Sequence, residues 1–254
     1  MIKPLKVVED LKKVNFLLGF VSHEILIHFD EFVEKAFLRF GRAGEDWRLL
    51  SWRYSKRRST FYEEGNFTEG LESLSKKNRF LNYFQIERLK EARERLNFPI
   101  YPSKDFSKIA RSAPTLYFVT NSFPHTTSGY AVRTENVAFL LRRNGIPVRV
   151  CTRAGYPLVV GRWERETRLN QRKQGLVRLI PWRYCWKVRS RRRQAVKLLE
   201  REARNCSAQL IITTTSFERA SVVSEVARNL NIPWAYEVRG EPEATWLAAS
   251  FKDR

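Results

Sequence analysis

The stretch TLYFVTNSFPHTTSGYAVRTENVAFLLRRNGIPVRVCTR, residues 115–153, decides the fold of this chain. An apolar run at 115–120 precedes a glycine-containing loop, a helical pattern and a second apolar run at 148–152. Gly145 offers the left-handed conformation that ends helices, and Pro147 cannot continue a helix. This order predicts a βαβ unit. Its helix is predicted to pack through one apolar face, formed by Val137, Leu140 and Leu141.

The same alternation continues toward the C-terminus. Further strands are predicted at 176–180, 209–213 and 234–238, and helices at 190–206 and after a capping box at 215–218. Alternating strands and helices predict an α/β fold, a Rossmann-like parallel sheet with helices on both faces, over residues 113–254. Ligands bind beyond the carboxyl ends of such strands, which indicates the loops at 122–130, 153–156, 213–217 and 239–243. The two helices are predicted to bury apolar faces, formed by Val196, Leu199, Ala203 and Cys206 and by Val223, Val226, Ala227 and Leu230.

Residues 1–112 are predicted to form a helical N-terminal region with a linker. Five apolar residues lie at the spacing of one helix face: Val14, Leu17, Leu18, Val21 and Ile25. Further helices are predicted over 32–40, 47–62 and 80–96, and Gly65 is placed in the turn of a helical hairpin. Pro99 and Pro102 end the last helix, so the chain up to residue 112 is predicted to be a linker and a domain boundary.

The charge of the chain is strongly positive and concentrated. The net charge is +20, and the window 161–200 alone has 13 basic and 3 acidic residues. Such a window favours an anionic partner, namely phospholipid headgroups, nucleic acid, or a phosphorylated sugar donor or lipid carrier. The alternative is a set of solvated arginines on a surface helix.

Cysteine usage and the N-terminus bear on the compartment. The three cysteines have no metal-ligand spacing, and an odd count favours a reducing cytosol. We therefore predict no metal site. Residues 16–29 are too short and too polar to cross a bilayer. We expect a cytoplasmic protein that can bind peripherally at the inner face of the membrane.

Four segments carry a family resemblance. They are SGYAVRTENVAFLLRRNGIPVRV at 128–150, TRAGYP at 152–157, LIITTTS at 210–216 and IPWAYEVRG at 232–240. In this order the chain resembles the N-terminal half of a family 4 glycosyltransferase from residue 115 to about residue 243. The resemblance implies a GT-B fold, retaining hexosyltransferase-type activity and an N-terminal domain that holds the acceptor.

The resemblance also implies what this chain contributes. The donor nucleotide-sugar binds the C-terminal domain of this family, and the sequence ends at Arg254 without the family's glutamate pair. We therefore expect an acceptor-binding half that is inactive alone and takes a glycan or a lipid-linked acceptor. The nucleotide-sugar would be a substrate supplied through a missing or separate donor domain, and no cofactor is expected.

Candidate site residues lie in the strand-end loops. Ser128 and Gly129 at a helix N-terminus would bring backbone N–H groups to a phosphate, and Tyr130 adds a hydroxyl. The alternative is that Gly129 serves only the tight turn. His125 is either a contact of an acceptor hydroxyl, a proton-transfer group or a plain surface histidine.

Two further pairs of residues are substrate-binding candidates. Arg153 and Tyr156 lie where an acceptor would rest, and the planar guanidinium suits phosphate or carboxylate. Glu237 and Arg239 either bind substrate or pair with each other. No catalytic residue is assigned.

A second function class competes with sugar transfer. Aromatic and basic residues interleave at 182–189, WRYCWKVR, as in proteins that bind nucleic acid. No helix-turn-helix, zinc or RNA-binding signature accompanies that stretch. A non-catalytic interaction protein or a nucleic-acid-binding protein is therefore the alternative prediction.

Overall fold

A computed structural model describes residues 4–27, 61–62, 65–76, 83–107, 109–163, 175–214 and 216–240. The chain divides into two compact units. The first, which we call the sheet unit, comprises Met1–Lys13, Pro99–Trp182 and Arg192–Arg254. The second, the helical unit, comprises Val14–Phe98 and Arg183–Arg191. Each unit is built from more than one stretch, unlike the two continuous domains, 1–112 and 113–254, that the sequence predicts.

The described part of the chain contains six α-helices and five strands. The helices are α1 (Pro4–Ile27), α2 (Phe67–Lys76), α3 (Tyr83–Leu96), α4 (Gly129–Arg143), α5 (Val188–Asn205) and α6 (Phe217–Leu230). The strands are β1 (Thr115–Val119), β2 (Val148–Thr152), β3 (Leu176–Arg178), β4 (Leu210–Thr214) and β5 (Trp234–Glu237). All five predicted strands are confirmed, with ends that shift by one or two residues.

The strands form one parallel sheet in the order β3-β2-β1-β4-β5. The chain moves outward from β1 to β3 on one side and then returns to β4 on the other side of β1. The strand order therefore reverses between β1 and β4, which is where open α/β sheets bind ligands. The predicted α/β, Rossmann-like fold class is confirmed.

Apolar side chains alternate along β1 and form a core on each face of the sheet. Leu116 and Phe118 pack with α5 and α6, whereas Tyr117 and Val119 pack with α4. The predicted inner faces of α5 and α6 are confirmed, since Leu199, Val223 and Val226 are fully buried.

Helix α4 meets the sheet through part of the predicted face, because Val137 and Leu141 are partly buried and pack on the core that contains Tyr117. Leu140 is 52% exposed, and the buried residues are Ala131, Thr134 and Ala138. Small residues are needed there because Tyr117, which is fully buried, fills the space between helix and sheet. The helix ends as predicted, with Gly145 at φ +77°.

The predicted linker is docked against β5, the edge strand. The backbone N–H of Trp234 donates to the Ser103 hydroxyl at 2.9 Å, and its indole N–H donates to the carbonyl of Tyr101 at 3.0 Å. The guanidinium of Arg228 lies 3.7 Å from the centre of the Tyr101 ring. Residues 101–103 thus form part of the sheet unit.

The helical unit has its own apolar contacts. Leu71 of α2 packs on Ile86 and Leu89 of α3, and Gly65 has a φ of +74° in the turn before α2. The predicted hairpin pairs α2 with the helix over 47–62, most of which lies outside the described residues, so the hairpin stays a prediction. Gly70 is buried in the contact between α2 and α3. A Cβ at Gly70 would lie 2.9 Å from Phe61 and 3.0 Å from Leu89.

A buried polar cluster lies elsewhere in the helical unit, and we call it the His23 cluster. The Nε2 atom of His23 lies 3.1 Å from Glu91 Oε1, and Arg191 donates to the other Glu91 oxygen at 2.6 Å. Tyr184 lies 3.3 Å from His23 Nδ1 and packs edge-on against Phe16. Only 4% of His23 is exposed, so this histidine belongs to the interior of the helical unit.

The apolar face predicted for α1 is wrong. Val14, Leu18 and Val21 are 44%, 64% and 43% exposed, whereas Phe16 and His23 are buried. Apolar residues occur on most sides of this helix, so spacing alone does not select one face. The buried face is the one that meets Tyr184 and Glu91.

Several predictions fall partly or wholly outside the described residues. These are the helices over 32–40 and most of 47–62, together with Thr215, residues 164–174 of the basic window and residues 241–243. Helix α6 begins at Phe217, and its N-cap, Ser216, makes no side-chain cap hydrogen bond. The predicted capping box therefore does not open the helix at Thr215.

Candidate functional site

A cleft opens at the carboxyl edge of the sheet, at the point where the strand order reverses. Its volume is about 270 Å³. The ends of β1 and β4 and the first turns of α4 and α6 contribute its walls, through Val119, Thr120, Asn121, Ser128, Tyr130, Thr134, Thr214, Arg219 and Arg239. The topology therefore brings together residues that are up to 120 positions apart in sequence.

Arg239 forms one wall of the cleft and is held on several sides. Its guanidinium donates to the carbonyl of Tyr130 and to the Thr134 hydroxyl, both at 2.8 Å. It also donates to Glu237 at 2.9 Å and to the Tyr117 hydroxyl. Only 1% of the Arg239 side chain is exposed. Arg239 therefore joins the end of β5 to the first turn of α4.

Glu237 is the acidic centre of this network. It accepts hydrogen bonds from Arg239, from the Tyr117 hydroxyl and from Arg133 Nε, the last at 2.8 Å. Burial alone would raise the pKa of Glu237, but the hydrogen bonds and charges of these partners hold that pKa below its ordinary value. Burial, more than Glu237, raises the pKa of the Tyr117 phenol. Glu237 is thus an ionised carboxylate, and of the two alternatives the pairing of Glu237 with Arg239 is observed.

Arg219 and Arg153 carry charge beside the cleft. Burial first, and then the charge of Arg153, lowers the pKa of the Arg219 guanidinium to about 10. Burial lowers the pKa of Arg153 as well, and Tyr156 and then Glu218 oppose that shift. The Nε atom of Arg153 is buried without a hydrogen-bond partner in the described part of the chain. Two guanidinium groups that are both largely buried and lie near each other favour the binding of an anion between them.

The first turn of α4 supplies polar groups to the same cleft. Ser128 is the N-cap, and its hydroxyl accepts a hydrogen bond from Ala131 N at 3.4 Å. The first N–H groups of a helix have no partner within it, so Gly129 and Tyr130 present backbone donors here. Tyr130 is 52% exposed, and its hydroxyl lies 2.8 Å from where a Cβ on Gly240 would lie.

Gly129 is not constrained by the turn itself. It is the first residue of α4, its φ is not positive, and no atom lies within 4 Å of where its Cβ would be placed. The alternative in which glycine serves only a tight turn is therefore wrong. Its role in the approach of a ligand stays a prediction.

Tyr156 lies inside the protein and not on a binding surface. It is fully buried, and its hydroxyl donates to the carbonyl of Ser122 at 2.6 Å and pairs with the Thr126 hydroxyl at 2.9 Å. Its ring also receives the guanidinium of Arg178 at 5.1 Å. Tyr156 therefore stabilises the loop after β1. Its predicted role as a contact of the sugar acceptor is wrong. His125 is half-buried in that loop, 6.4 Å from the Tyr156 ring.

The sequence predictions omitted several residues of the cleft. Asn121 lies two residues after the end of β1, and its side-chain oxygen is buried without a hydrogen-bond partner among the described residues. Arg219 lies in the first turn of α6, two residues beyond the predicted loop at 213–217. The first turn of a helix lines the same edge of the sheet as the end of the preceding strand. Predicted loops that start at the strand end and continue through the first turn of the next helix would therefore include both residues.

In the part of the chain that the structure describes, no group of three or more His, Cys, Asp or Glu residues could hold a metal ion. No helix in those ranges is long and apolar enough to cross a membrane.

Comparison with known proteins leaves the family open. The chain matches no protein-family model, no curated protein and no solved structure.

Proposed function

We propose that this chain acts in glycosyl transfer as the domain that holds a phosphate-bearing acceptor, such as a lipid-linked sugar. One observation supports the proposal most. Three of the four segments on which the family resemblance rests converge on one cleft, through Ser128 and Tyr130, through Thr214, and through Arg239. Convergence of separate segments on one cavity is typical of a binding site in α/β folds.

The charge of the cleft favours a phosphate group in the ligand. Glu237 pairs with Arg239. Arg219 lies close enough to Arg153 for the charge of Arg153 to lower its pKa, so two guanidinium groups lie together beside the cleft. Backbone donors at the start of α4 add to this positive field, as at other helix N-termini that bind phosphate. The buried oxygen of Asn121 provides an acceptor for a sugar hydroxyl at the same edge.

Binding by the whole chain tests the proposal. We expect inorganic pyrophosphate and farnesyl diphosphate to bind, and a prenyl diphosphate that carries one sugar to bind more tightly than either. Arg219→Gln should weaken all three at least tenfold, because a hydrogen bond to a charged group contributes about 1.5–3 kcal/mol. Calorimetric titration measures each affinity.

A matched variant controls for net charge. Arg143→Gln removes an exposed arginine from the last turn of α4, far along the helix from the cleft. It should leave all three affinities unchanged. Equal loss in both variants would reject the cleft as the site. Equal affinity for pyrophosphate and the sugar-bearing probe would reject the sugar acceptor and leave only an anion site.

A further inference from the structure

The sheet unit presents a second charged surface, on the outer side of α5. Helix α5 packs on the sheet through Val196, Leu199 and Ala203. Its opposite side exposes Arg193, Lys197 and Arg201, which lie four residues apart and therefore form one stripe. None of the three forms an ion pair or a hydrogen bond with any described residue, whereas the neighbouring Arg204 pairs with Glu200 at 2.5 Å.

The N-terminal turns of α1 lie near this stripe. Lys12 of α1 is half-buried, and its pKa is lowered by burial and then by the positive charge of Arg201. Glu9 opposes this shift, and Asp10 pairs with Lys13 at 3.3 Å, so the four charges of α1 at this point cancel. The stripe on α5 therefore supplies the net positive charge of the patch.

Exposed apolar side chains precede Lys12 on α1. Val7, Val8 and Leu11 are 45%, 51% and 59% exposed. Val7 and Leu11 are four residues apart, as are Val8 and Lys12, so these side chains continue the side of α1 that leads to Lys12. Apolar residues beside unpaired cations are typical of surfaces that lie in the headgroup layer of a membrane.

We propose that the patch formed by Val7, Val8 and Leu11 of α1 and Arg193, Lys197 and Arg201 of α5 docks on the surface of an anionic lipid bilayer. Three exposed cations match anionic headgroups, and the apolar residues enter the acyl boundary. A nucleic acid would bind the cations, but its phosphates would make no favourable contact with the exposed apolar residues. The proposal does not depend on the function proposed for the cleft.

Co-sedimentation of the full chain with lipid vesicles tests this surface. We expect binding to phosphatidylcholine vesicles only when they contain phosphatidylglycerol, and weaker binding at high salt. The triple variant Arg193→Gln, Lys197→Gln, Arg201→Gln should lower the partition coefficient about a hundredfold, because each cation near an anionic surface contributes about a factor of five.

The chain offers a control with the same change in net charge. Arg93, Arg111 and Arg143 are exposed arginines outside the patch, and their triple change to Gln should leave the partition coefficient unchanged. Equal losses in the two triple variants would overturn the proposal, since they would show a dependence on net charge alone. Melting temperatures of both variants verify that they are folded.

The apolar part of the patch has its own control. Leu11→Ser should weaken binding about tenfold, because a leucine in the acyl boundary loses most of its contact with water. Phe139→Ser, which changes a residue of α4 that is similarly exposed at 61%, should have no effect. Equal binding to vesicles without phosphatidylglycerol would overturn the proposal. So would a triple variant that loses binding to double-stranded DNA while wild-type protein ignores vesicles.

Discussion

Two glutamate–arginine pairs in this chain have the same chemistry and different surroundings. In the helical unit, Glu91 and Arg191 meet at 2.6 Å, each 16% exposed, and they also contact His23, Arg95, the Tyr184 ring and the carbonyl groups of Cys185 and Trp186. In the sheet unit, Glu237 and Arg239 meet at 2.9 Å beside an open cleft.

The difference between the pairs separates a structural role from a binding role. The Glu91 pair is enclosed by protein, so its hydrogen bonds stabilise the helical unit. In the Glu237 pair, Arg239 is 1% exposed but lines the cleft, and Glu237 is 21% exposed and also binds Arg133, whose side chain is 54% exposed. Loss of an enclosed carboxylate costs stability, whereas loss of one beside a cleft costs mainly binding.

The largest expected effect comes from removing each carboxylate. Glu91→Gln should lower the free energy of unfolding by about 3 kcal/mol, because it leaves the positive charge of Arg191 without its partner. Glu237→Gln should lower it by about 1 kcal/mol, since Arg239 keeps its hydrogen bonds to Tyr130 and Thr134 and the other cation at Glu237, Arg133, is exposed. Urea unfolding measures both values.

A control on the same helix as Glu91 sharpens this difference. Glu87→Gln removes a carboxylate that pairs with Lys90 in a largely exposed place, so stability should change by less than about 0.5 kcal/mol. If Glu237→Gln were as destabilising as Glu91→Gln, the two pairs would be equally structural and the comparison would fail.

The next largest expected effect on stability comes from replacing a glycine by alanine in each unit. Gly70→Ala should destabilise the protein by about 2 kcal/mol, because the new methyl group would lie within 3.0 Å of Phe61 and Leu89. Gly129→Ala places its methyl group in open space and should change stability by about 0.5 kcal/mol or less. Urea unfolding of both variants measures these costs.

Gly129→Ala has a second use, in the cleft. Titration with farnesyl diphosphate shows whether the methyl group obstructs a ligand. Weaker binding at unchanged stability supports close approach of the ligand to α4. Unchanged binding would remove Gly129 from the site.

The smallest expected effect is on the pH dependence of stability, because opposing causes act on His23. Burial lowers the pKa of His23, yet hydrogen bonds to Glu24 and Glu91 raise it above the ordinary value of 6.5. The protonated form is therefore favoured in the folded state. Its stabilisation is complete below pH 6.5 and is lost as the pH rises through the folded pKa.

Glu91 determines how the stability changes at acid pH. Burial would raise the pKa of Glu91, but His23 and Arg191 lower it below 4.5, so its contribution is present above that pH and is lost as the pH falls through the folded pKa. Urea unfolding from about pH 5.5 to about pH 8.5 should show falling stability in wild type and a flatter profile in His23→Gln. His125→Gln, which removes a histidine of the sheet unit, should keep the wild-type slope.

Hydrophobic patterns predicted the strands because a buried strand is a local feature. Residues 115–119 and 210–214 are short, apolar runs bounded by turn residues, and both are strands of the parallel sheet. The same patterns predicted the loops at the carboxyl ends of the strands. Three residues of those loops, Ser128, Tyr130 and Arg239, line the cleft.

Faces and partners could not be predicted because they depend on distant residues. Leu140 has the spacing of a core residue, but the buried Tyr117 requires small residues opposite it on α4. Tyr156 has the hydroxyl of a binding residue, but that hydroxyl satisfies the carbonyl of Ser122. The apolar side of α1 faces solvent at Leu18, while the polar His23 is buried by Glu91 and Tyr184.

The docking of Tyr101 and Ser103 on β5 has a consequence for the behaviour of the protein at high concentration. An uncovered edge strand offers its unpaired backbone groups to another chain and so promotes strand addition and aggregation. Ser103 accepts the backbone N–H of Trp234, and the Tyr101 carbonyl engages its indole, so this end of the edge is already occupied. Cleavage within residues 101–107 would release both groups while leaving the five strands intact. A nicked protein should then polymerise through β5 before it unfolds, which makes this short segment a guard against self-assembly.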